Sequence, residues 1–286
     1  MTIENMIKSC NNLTPTENGL AQYILDNKEQ IQKLSIQDLS QKTFVSKSAI
    51  HRLCKKIGLE GFNELKVKIA QDIHEEGKGK NDIDVNFPFS EHDSQGLIAR
   101  KLMKLYEASI MDTYHSINVE ELHQVAVLLH HADVIDIYTH AHNIHVAENF
   151  QDKMRSIGRM VNCPKSAYEQ RGTAITSNKK HVALVLSYSG KATFLPSIVE
   201  VLSQNKVEVI WIGRVGTGAV SNHIKHRLYI SDRENLRNRI SQFSSHIAMQ
   251  YMLDVVFSCI FKIDYERNIE YIQKVKNFID DRDIFE

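Results

Sequence analysis

The sequence predicts an all-α domain followed by an α/β domain with a parallel sheet flanked by helices, and three observations carry that expectation. Residues Ile36 to Gly61, IQDLSQKTFVSKSAIHRLCKKIGLEG, read as a helix, a tight turn and a second, basic helix. Gly77 to Ser94, GKGKNDIDVNFPFSEHDS, has neither helical nor strand periodicity and reads as a linker. Beyond it, apolar runs alternate with helical patterns in three successive strand, loop, helix units. The expected organisation is therefore a helical domain over 1–76, a linker over 77–94 and an α/β domain over 95–286.

The first domain is helical in pattern throughout, and five short helices are expected. Leu20, Tyr23 and Ile24 mark one, Ile31 and Leu34 a second, and Phe62, Leu65 and Ile69 the last. Between them, Ser35 is placed to cap a helix that turns Ile36 and Leu39 inward, with Phe44 and Val45 following at the turn. Ser46 is placed to cap the next helix, in which Ile50, Leu53 and Ile57 form a buried stripe. That stripe leaves Lys47, Ser48, His51, Arg52, Lys55 and Lys56 facing outward. From Gln41 to Lys56 the cations, Lys42 included, meet no Asp or Glu in the sequence. A helix-turn-helix with such a face is suited to DNA. Lys47, Ser48, His51 and Arg52, with Ser46 at the helix start, are expected at base edges and phosphates, and Lys42, Lys55 and Lys56 on the backbone. The bland alternative is a basic helix that merely solvates its own domain.

After the linker, helical patterns run from Leu97 to about Ile117 and from Val119 to Leu129. Val134–Tyr138 is then expected as a strand leading to the loop Thr139–Asn143 and a helix ending near Ile157. Val182–Leu186 is almost continuously apolar, as a strand buried on both faces should be. It leads into Ser187–Thr193, a small-residue turn expected to open a helix through Ile198, Val199 and Leu202. Val207–Ile212 is the third strand, closing with Gly213 to Gly218. In open parallel sheets, ligands sit where strand C-termini meet helix N-termini. The hydroxyls of Ser187, Ser189 and Thr193 and the backbone freedom of Gly190 suit a phosphate; the same residues also suit a plain turn and helix cap.

Composition sets the remaining bounds. With 35 basic and 35 acidic residues the formal net charge is zero, so the basicity is local, and 286 residues with 42% hydrophobic content provide for two domains. Cys10, Cys54, Cys163 and Cys259 form no CxxC pair, which argues against a zinc ribbon or disulfide framework and for a reducing compartment. MTIENMIKSCNNLTPTE lacks the pattern of a secretory leader, so a cytoplasmic location is expected. Ile247 to Phe261 is strongly apolar but falls short of the roughly 20 residues of a membrane span, and is expected as a core helix.

The two segments together resemble the MurR/RpiR family of bacterial transcriptional regulators, which join an N-terminal helix-turn-helix to a sugar isomerase (SIS) domain. LTPTENGLAQYILDN (13–27), VSKSAIHRLCKKIGLEGFNELK (45–66), the SYSG at 187–190 and the spacing between them carry the resemblance, which covers most of the chain. It implies operator DNA and a phosphorylated sugar or amino sugar as partners, a homodimer or higher homo-oligomer, control of carbohydrate genes, and no catalysis. His142, Asn143, Ser187, Ser189, Gly190, Lys191 and Thr193 are the effector positions it suggests.

Two departures from the family pattern alter the anion site. Where members commonly carry Gly-x-Gly-x-Ser, this chain has Thr139, His140, Ala141, His142 and Asn143. Where they carry Ser-x-Ser-Gly-x-Thr, it has Ser187-Tyr-Ser-Gly-Lys-Ala192 with Thr193 one place late. Either a different effector or a weakened site follows, and Lys191 could compensate with charge. An SIS domain that serves only dimerisation is one alternative. A sugar-phosphate isomerase is another, with Glu148, Glu169 or His246 as acid or base, although no spacing singles them out and no catalytic residue is expected. His140, His142, His145 and Glu148, with His130 and His131 upstream, would fit a metal on spacing alone; in a chain with 14 histidines such clusters arise by chance, and neither metal nor cofactor is expected.

Overall fold

The computed structural model describes residues 3–10, 13–78, 83–217 and 223–279. The N-terminal part is helical: α1 (Ile3–Ser9), α2 (Pro15–Asp26), α3 (Lys28–Ile31), α4 (Ile36–Thr43), α5 (Lys47–Lys56) and α6 (Phe62–Lys78). Leu20, Ile24, Ile31, Leu39, Ile50, Leu53, Leu65 and Ile69 are buried together as its core. The helix α1 adds one to the five expected, being too short to display a period. Its start is fixed from a distance, because the Ile3 amide donates to the buried Asp72 carboxylate at 2.6 Å. Gly77 and Lys78, expected in the linker, are the last residues of α6.

Residues 84–94 are not a free tether. The Asn86 side chain accepts from the Asn235 amide at 2.7 Å, its carbonyl accepts from the Ile240 amide at 2.9 Å, and the Phe89 ring meets Phe243 edge-on. The helices α7 (Gln95–His115) and α8 (Val119–His131) follow. The α/β part then runs β1 (Val134–Tyr138), α9 (Asn143–Ser156), β2 (Val161–Asn162), α10 (Ala167–Thr176), β3 (His181–Leu186), α11 (Leu195–Gln204), β4 (Glu208–Arg214), β5 (His226–Ile230), α12 (Phe243–Ile263) and α13 (Tyr265–Ile279). The expectation located β1, β3 and β4 within two residues. It did not include β2, β5, α10 or α13.

The five strands are all parallel, in the order β2-β1-β3-β4-β5. Alternate side chains serve two cores. Ile135, Ile137, Leu184, Leu186, Ile210 and Ile212 pack with residues of α8, α9 and α12, whereas Tyr138, Ala183, Val185, Val209 and Trp211 pack with Leu195, Ile198, Val199 and Leu202 of α11. Burial on both faces explains why these strands read as unbroken apolar runs. The outer edge of β5 is closed by side chains, since the Arg227 amide donates to Glu121 Oε1 at 3.0 Å and the Ser231 amide to Thr113 Oγ1 at 3.1 Å.

The helix α12 spans 21 residues and is, by length and composition, long and apolar enough to cross a membrane, contrary to the shorter expected stretch. Ala248, Met249, Met252, Leu253, Val256 and Ile260 are nevertheless fully buried in the core, and Ser109 of α7 approaches closely enough to bond Ser244 at 2.7 Å. It is a core helix.

Candidate functional site

The pair α4 and α5 is held by local chemistry. Ser35 and Asp38 form a reciprocal capping box, and Ser46 Oγ accepts from the Ala49 amide at 3.3 Å. The inward residues of α5 are Ala49, Ile50, Leu53 and Cys54, with Ile57 just beyond. Ser46, Lys47, Ser48, His51, Arg52, Lys55 and Lys56 are exposed as expected, and so is Lys42. The charges differ in their partners. Lys47 Nζ donates to Gln37 at 3.1 Å, while Lys42 and Arg52 form no ion pair among the described residues. Lys55 pairs with Glu60, and Lys56 lies 2.7 Å from Glu17, so carboxylates from outside 41–56 neutralise the helix's C-terminal end. Lys56, expected on the DNA backbone, is thus an internal tie as well. His51 lies beside the next turn, where a β-carbon on Gly61 would come within 3.4 Å of its ring.

Phe44 and Val45 stand at the turn as expected, with opposite exposure. Val45 is buried at the turn, but Phe44 is 96% exposed and adopts left-handed backbone with φ of 55°. That region costs a residue other than glycine about 1 kcal/mol.

The second candidate site follows from topology. With the order β2-β1-β3-β4-β5, the chain reverses direction of winding between β1 and β3, and the C-terminal ends of strands at such a reversal are where open parallel sheets take ligands. The loops 139–143 and 187–193 follow those strand ends. The first loop is riveted down. Thr139 is buried, its hydroxyl donates to the Leu186 carbonyl at 2.9 Å, and its amide and carbonyl are both bonded by Gln170 of α10 at 3.2 and 2.5 Å. Ala141, at a lost glycine, still keeps left-handed backbone with φ of 53°.

His140 stands edge-on to Phe194, and His142 occupies the N-cap of α9 without a side-chain cap bond. Nδ1 of His140, Nε2 of His142 and Nε1 of Trp211 are buried with no hydrogen-bond partner among the described residues. Burial lowers the pKa of His142 to about 4, and the positive charge of Arg239 pushes the same way. His140 is lowered by burial too. Both rings are neutral at pH 7. Asn143 is buried as the first residue of α9.

In the second loop, Ser187 is buried and its Oγ accepts from the Gly190 amide at 3.2 Å, while Ser189 Oγ accepts from the Lys191 amide at 3.2 Å. Gly190 takes φ of 66°. The helix α11 opens at Leu195, past Thr193, so the turn stands ahead of the helix where the expectation had it opening one. Lys191 and Thr193 are exposed. Close backbone approach is needed at Gly213, where an added β-carbon would lie 2.4 Å from the Ser187 carbonyl and 2.7 Å from Trp211 Nε1.

Sequence reasoning passed over the groups behind these loops. Tyr188 OH exchanges hydrogen bonds of 3.1 Å with both the amide and the carbonyl of Glu234, and the Arg214 guanidinium lies over the Tyr188 ring. Glu234 is buried, pairs with Arg239, and accepts from the amide and hydroxyl of Ser245 at the start of α12. No spacing in the sequence announces Gln170, Glu234 or Arg239.

The histidine cluster does not gather into a metal site: among the described residues no group of three or more His, Cys, Asp or Glu is placed to hold a metal ion. Glu148 instead bonds Lys165 at 2.6 Å, with His145 at 3.7 Å. Glu169 closes the capping box of α10 with Ser166.

Residues 1–76 match the helix-turn-helix domain of the rpiR family, and residues 128–257 match the SIS domain. The chain belongs to the RpiR family. It is 29% identical over 275 residues to an HTH-type transcriptional regulator of Caldanaerobacter subterraneus, covering 95% of this chain and 94% of that one. It is 23% identical over 215 residues to the HTH-type transcriptional regulator HexR of Pseudomonas aeruginosa, covering 75% and 74%. Among solved structures, the NanR protein of Vibrio vulnificus, complexed with ManNAc-6P, shares the fold at a TM-score of 0.60 and 17% identity over 97% of both chains. The sugar isomerase domain of an RpiR transcription factor from Sphaerobacter thermophilus aligns at a TM-score of 0.56 and 10% identity, covering 63% of this chain and 98% of that one. This RpiR-family chain is accordingly a transcriptional regulator with helix-turn-helix and SIS domains.

Proposed function

We propose that this regulator binds operator DNA through α5 and that its SIS domain senses a phosphorylated sugar or amino sugar, which alters operator binding at carbohydrate genes in the cytoplasm. What supports the reading is the reversal of winding between β1 and β3, with the loops 139–143 and 187–193 both at the C-terminal ends of those strands, where open parallel sheets take their ligands. Ser187, Ser189 and Gly190 form the phosphate-binding turn, with Lys191 and Thr193 at its rim. His142 and Asn143 at the N-terminus of α9 supply donors in place of the backbone space that glycines would leave. On the DNA side, Lys47, Ser48, His51 and Arg52 enter the major groove behind Ser46, and Lys42, Lys55 and Lys56 face phosphates, the last two shared with Glu60 and Glu17.

Two recognition helices are needed to read a palindrome, so the working form is a dimer. Exposed Met103, Met111 and Tyr114 on α7 supply an apolar stripe for it, whereas α12 is committed to the core. Effector binding then acts by favouring one spacing of the two recognition helices. The isomerase alternative loses support from Glu148 and Glu169, which hold Lys165 and a helix cap.

The test is a titration of the intact protein against duplex DNA from upstream of its own gene, with and without hexose and amino-sugar phosphates. Specific binding that one sugar phosphate modulates is the expected result. Binding indifferent to all of them removes the effector class, and turnover of a hexose phosphate restores the isomerase.

A further inference from the structure

The turn between α4 and α5 carries a side chain that the fold itself does not use. Phe44 is 96% exposed, and its backbone lies in the left-handed region, which disfavours bulky residues. Its neighbours are firmly placed: Thr43 Oγ1 donates to the Leu39 carbonyl at 2.8 Å, Val45 is buried, and Ser46 caps α5. The turn is thus anchored on both sides, and an aromatic ring is held in water by an unfavourable backbone. Neither cost is recovered among the described residues.

The surroundings indicate the partner. Lys42 and Lys47 flank Phe44 within three residues, Ser46 and Ser48 are exposed beside them, and no carboxylate occurs in the sequence from Gln41 to Lys56. Such a face repels a basic surface and attracts a polyanion. A recognition helix enters the major groove by its N-terminal residues, which brings the turn leading into it to the lip of that groove. There the one strongly apolar feature of a base edge is the thymine C5-methyl group, which accepts contact from phenylalanine.

We propose that Phe44 is a base-reading residue that packs on a thymine methyl group at the lip of the major groove, one per half-site. This rests on the DNA-binding reading of α5. It assigns sequence discrimination to the turn in addition to the helix.

The experiment uses a duplex that the intact protein selects from a random pool, and the variants F44N and F44G, both of which accept left-handed backbone. Both variants should melt no lower than the parent and bind the selected duplex roughly tenfold more weakly. Replacing one thymine per half-site by uracil should weaken the parent to the same degree and leave the variants unaffected. Three results would overturn the proposal: unchanged affinity in the variants, weakened variants that keep the parent's sensitivity to uracil, or a selected consensus without thymine in its half-sites. Loss of self-association in F44N and F44G, read by sedimentation, would move Phe44 to a protein contact instead. Failure of the parent to select any duplex would overturn the DNA reading itself, so the two failures are distinct.

Discussion

The Lys56 ammonium at the end of α5 lies 2.7 Å from the Glu17 carboxylate in the first turn of α2. Glu17 is buried, and the same carboxylate accepts from the Thr14 amide at 2.8 Å, so one group caps α2 and anchors the recognition helix. Lys56, its hydrogen bond to Glu17 above all, together with the Thr14 amide, brings the pKa of Glu17 down to about 2. A carboxyl with a depressed folded pKa stabilises the fold above its unfolded value of roughly 4.3 and loses that contribution as pH falls toward 2. E17Q should therefore cost about 1–2 kcal/mol at pH 7, a difference that shrinks below pH 4 in urea titrations at the two pH values. Equal losses at pH 7 and pH 3 would mean that the pair contributes nothing through charge.

Lys56 and Arg52 are both cations of α5, yet they should fail in different ways. R52A should lower operator affinity about tenfold with an unchanged melting temperature, because Arg52 is exposed and unpaired among the described residues. K56A should lower stability as well, by leaving Glu17 without its cation. Gel-shift affinities set beside melting curves separate the two, and an R52A protein that melts early would refute the assignment.

His142 offers a second pH window. Its folded pKa of about 4 lies below the roughly 6.5 of an unfolded histidine, so the unfolded chain takes up the proton first. Stability from this group is complete above pH 6.5 and is lost as pH falls from there to about 4. H142N should flatten that limb, worth about 1–2 kcal/mol after allowance for the ring's partial exposure. Denaturation midpoints between pH 7 and pH 4.5 decide it; a parallel fall in parent and variant would exclude His142 as the source.

What could be read from the sequence was what the chain decides locally. Ser35 and Ser46 were legible as caps because a cap and its helix lie within four residues, and β1, β3 and β4 because burial on both faces makes an unbroken apolar run. The two-residue β2 has no period to read. Ties across long separations, such as Lys56 to Glu17 or Gln170 to Thr139, leave no mark on neighbouring residues. Phe44 was expected only at the turn, and nothing in its neighbours announces that the left-handed backbone there turns the ring outward. At Ala141 the resemblance to the family set an alanine where members commonly carry glycine, but gave no sign that the backbone there would take the left-handed conformation that glycine favours.

If the turn 187–193 binds phosphate as proposed, its two serines should behave differently. Ser189 is partly exposed and among the described residues its Oγ holds only the Lys191 amide, whereas Ser187 is buried under the turn and holds Gly190. S189A should keep its melting temperature within a degree or so and lose about tenfold in sugar-phosphate affinity, one charge-assisted hydrogen bond's worth. S187A should lose both. Thermal-shift titrations with the phosphate that modulates DNA binding measure both quantities together, and an S189A protein with full affinity would take this turn out of the site.

The loop 139–143 is held from α10. The side-chain amide of Gln170 bonds both the amide and the carbonyl of Thr139, which is buried. Q170A would remove a partner from three backbone groups, the Thr139 amide and carbonyl and the Pro164 carbonyl, at about 1–3 kcal/mol for each buried group left unsatisfied, and would free the loop that presents His140 and His142. Q170E is the informative companion, because a carboxylate can still accept from the Thr139 amide but faces its carbonyl oxygen without a proton to donate. Q170A and Q170E should both melt lower than the parent. At pH 5 the gap for Q170E should narrow as protonation restores a donor, while the gap for Q170A stays fixed. A Q170E gap that does not respond to pH would show that the Thr139 carbonyl does not depend on Gln170, and the loop would then owe its position to the Thr139 amide bond to Gln170 and the Thr139 hydroxyl bond to Leu186.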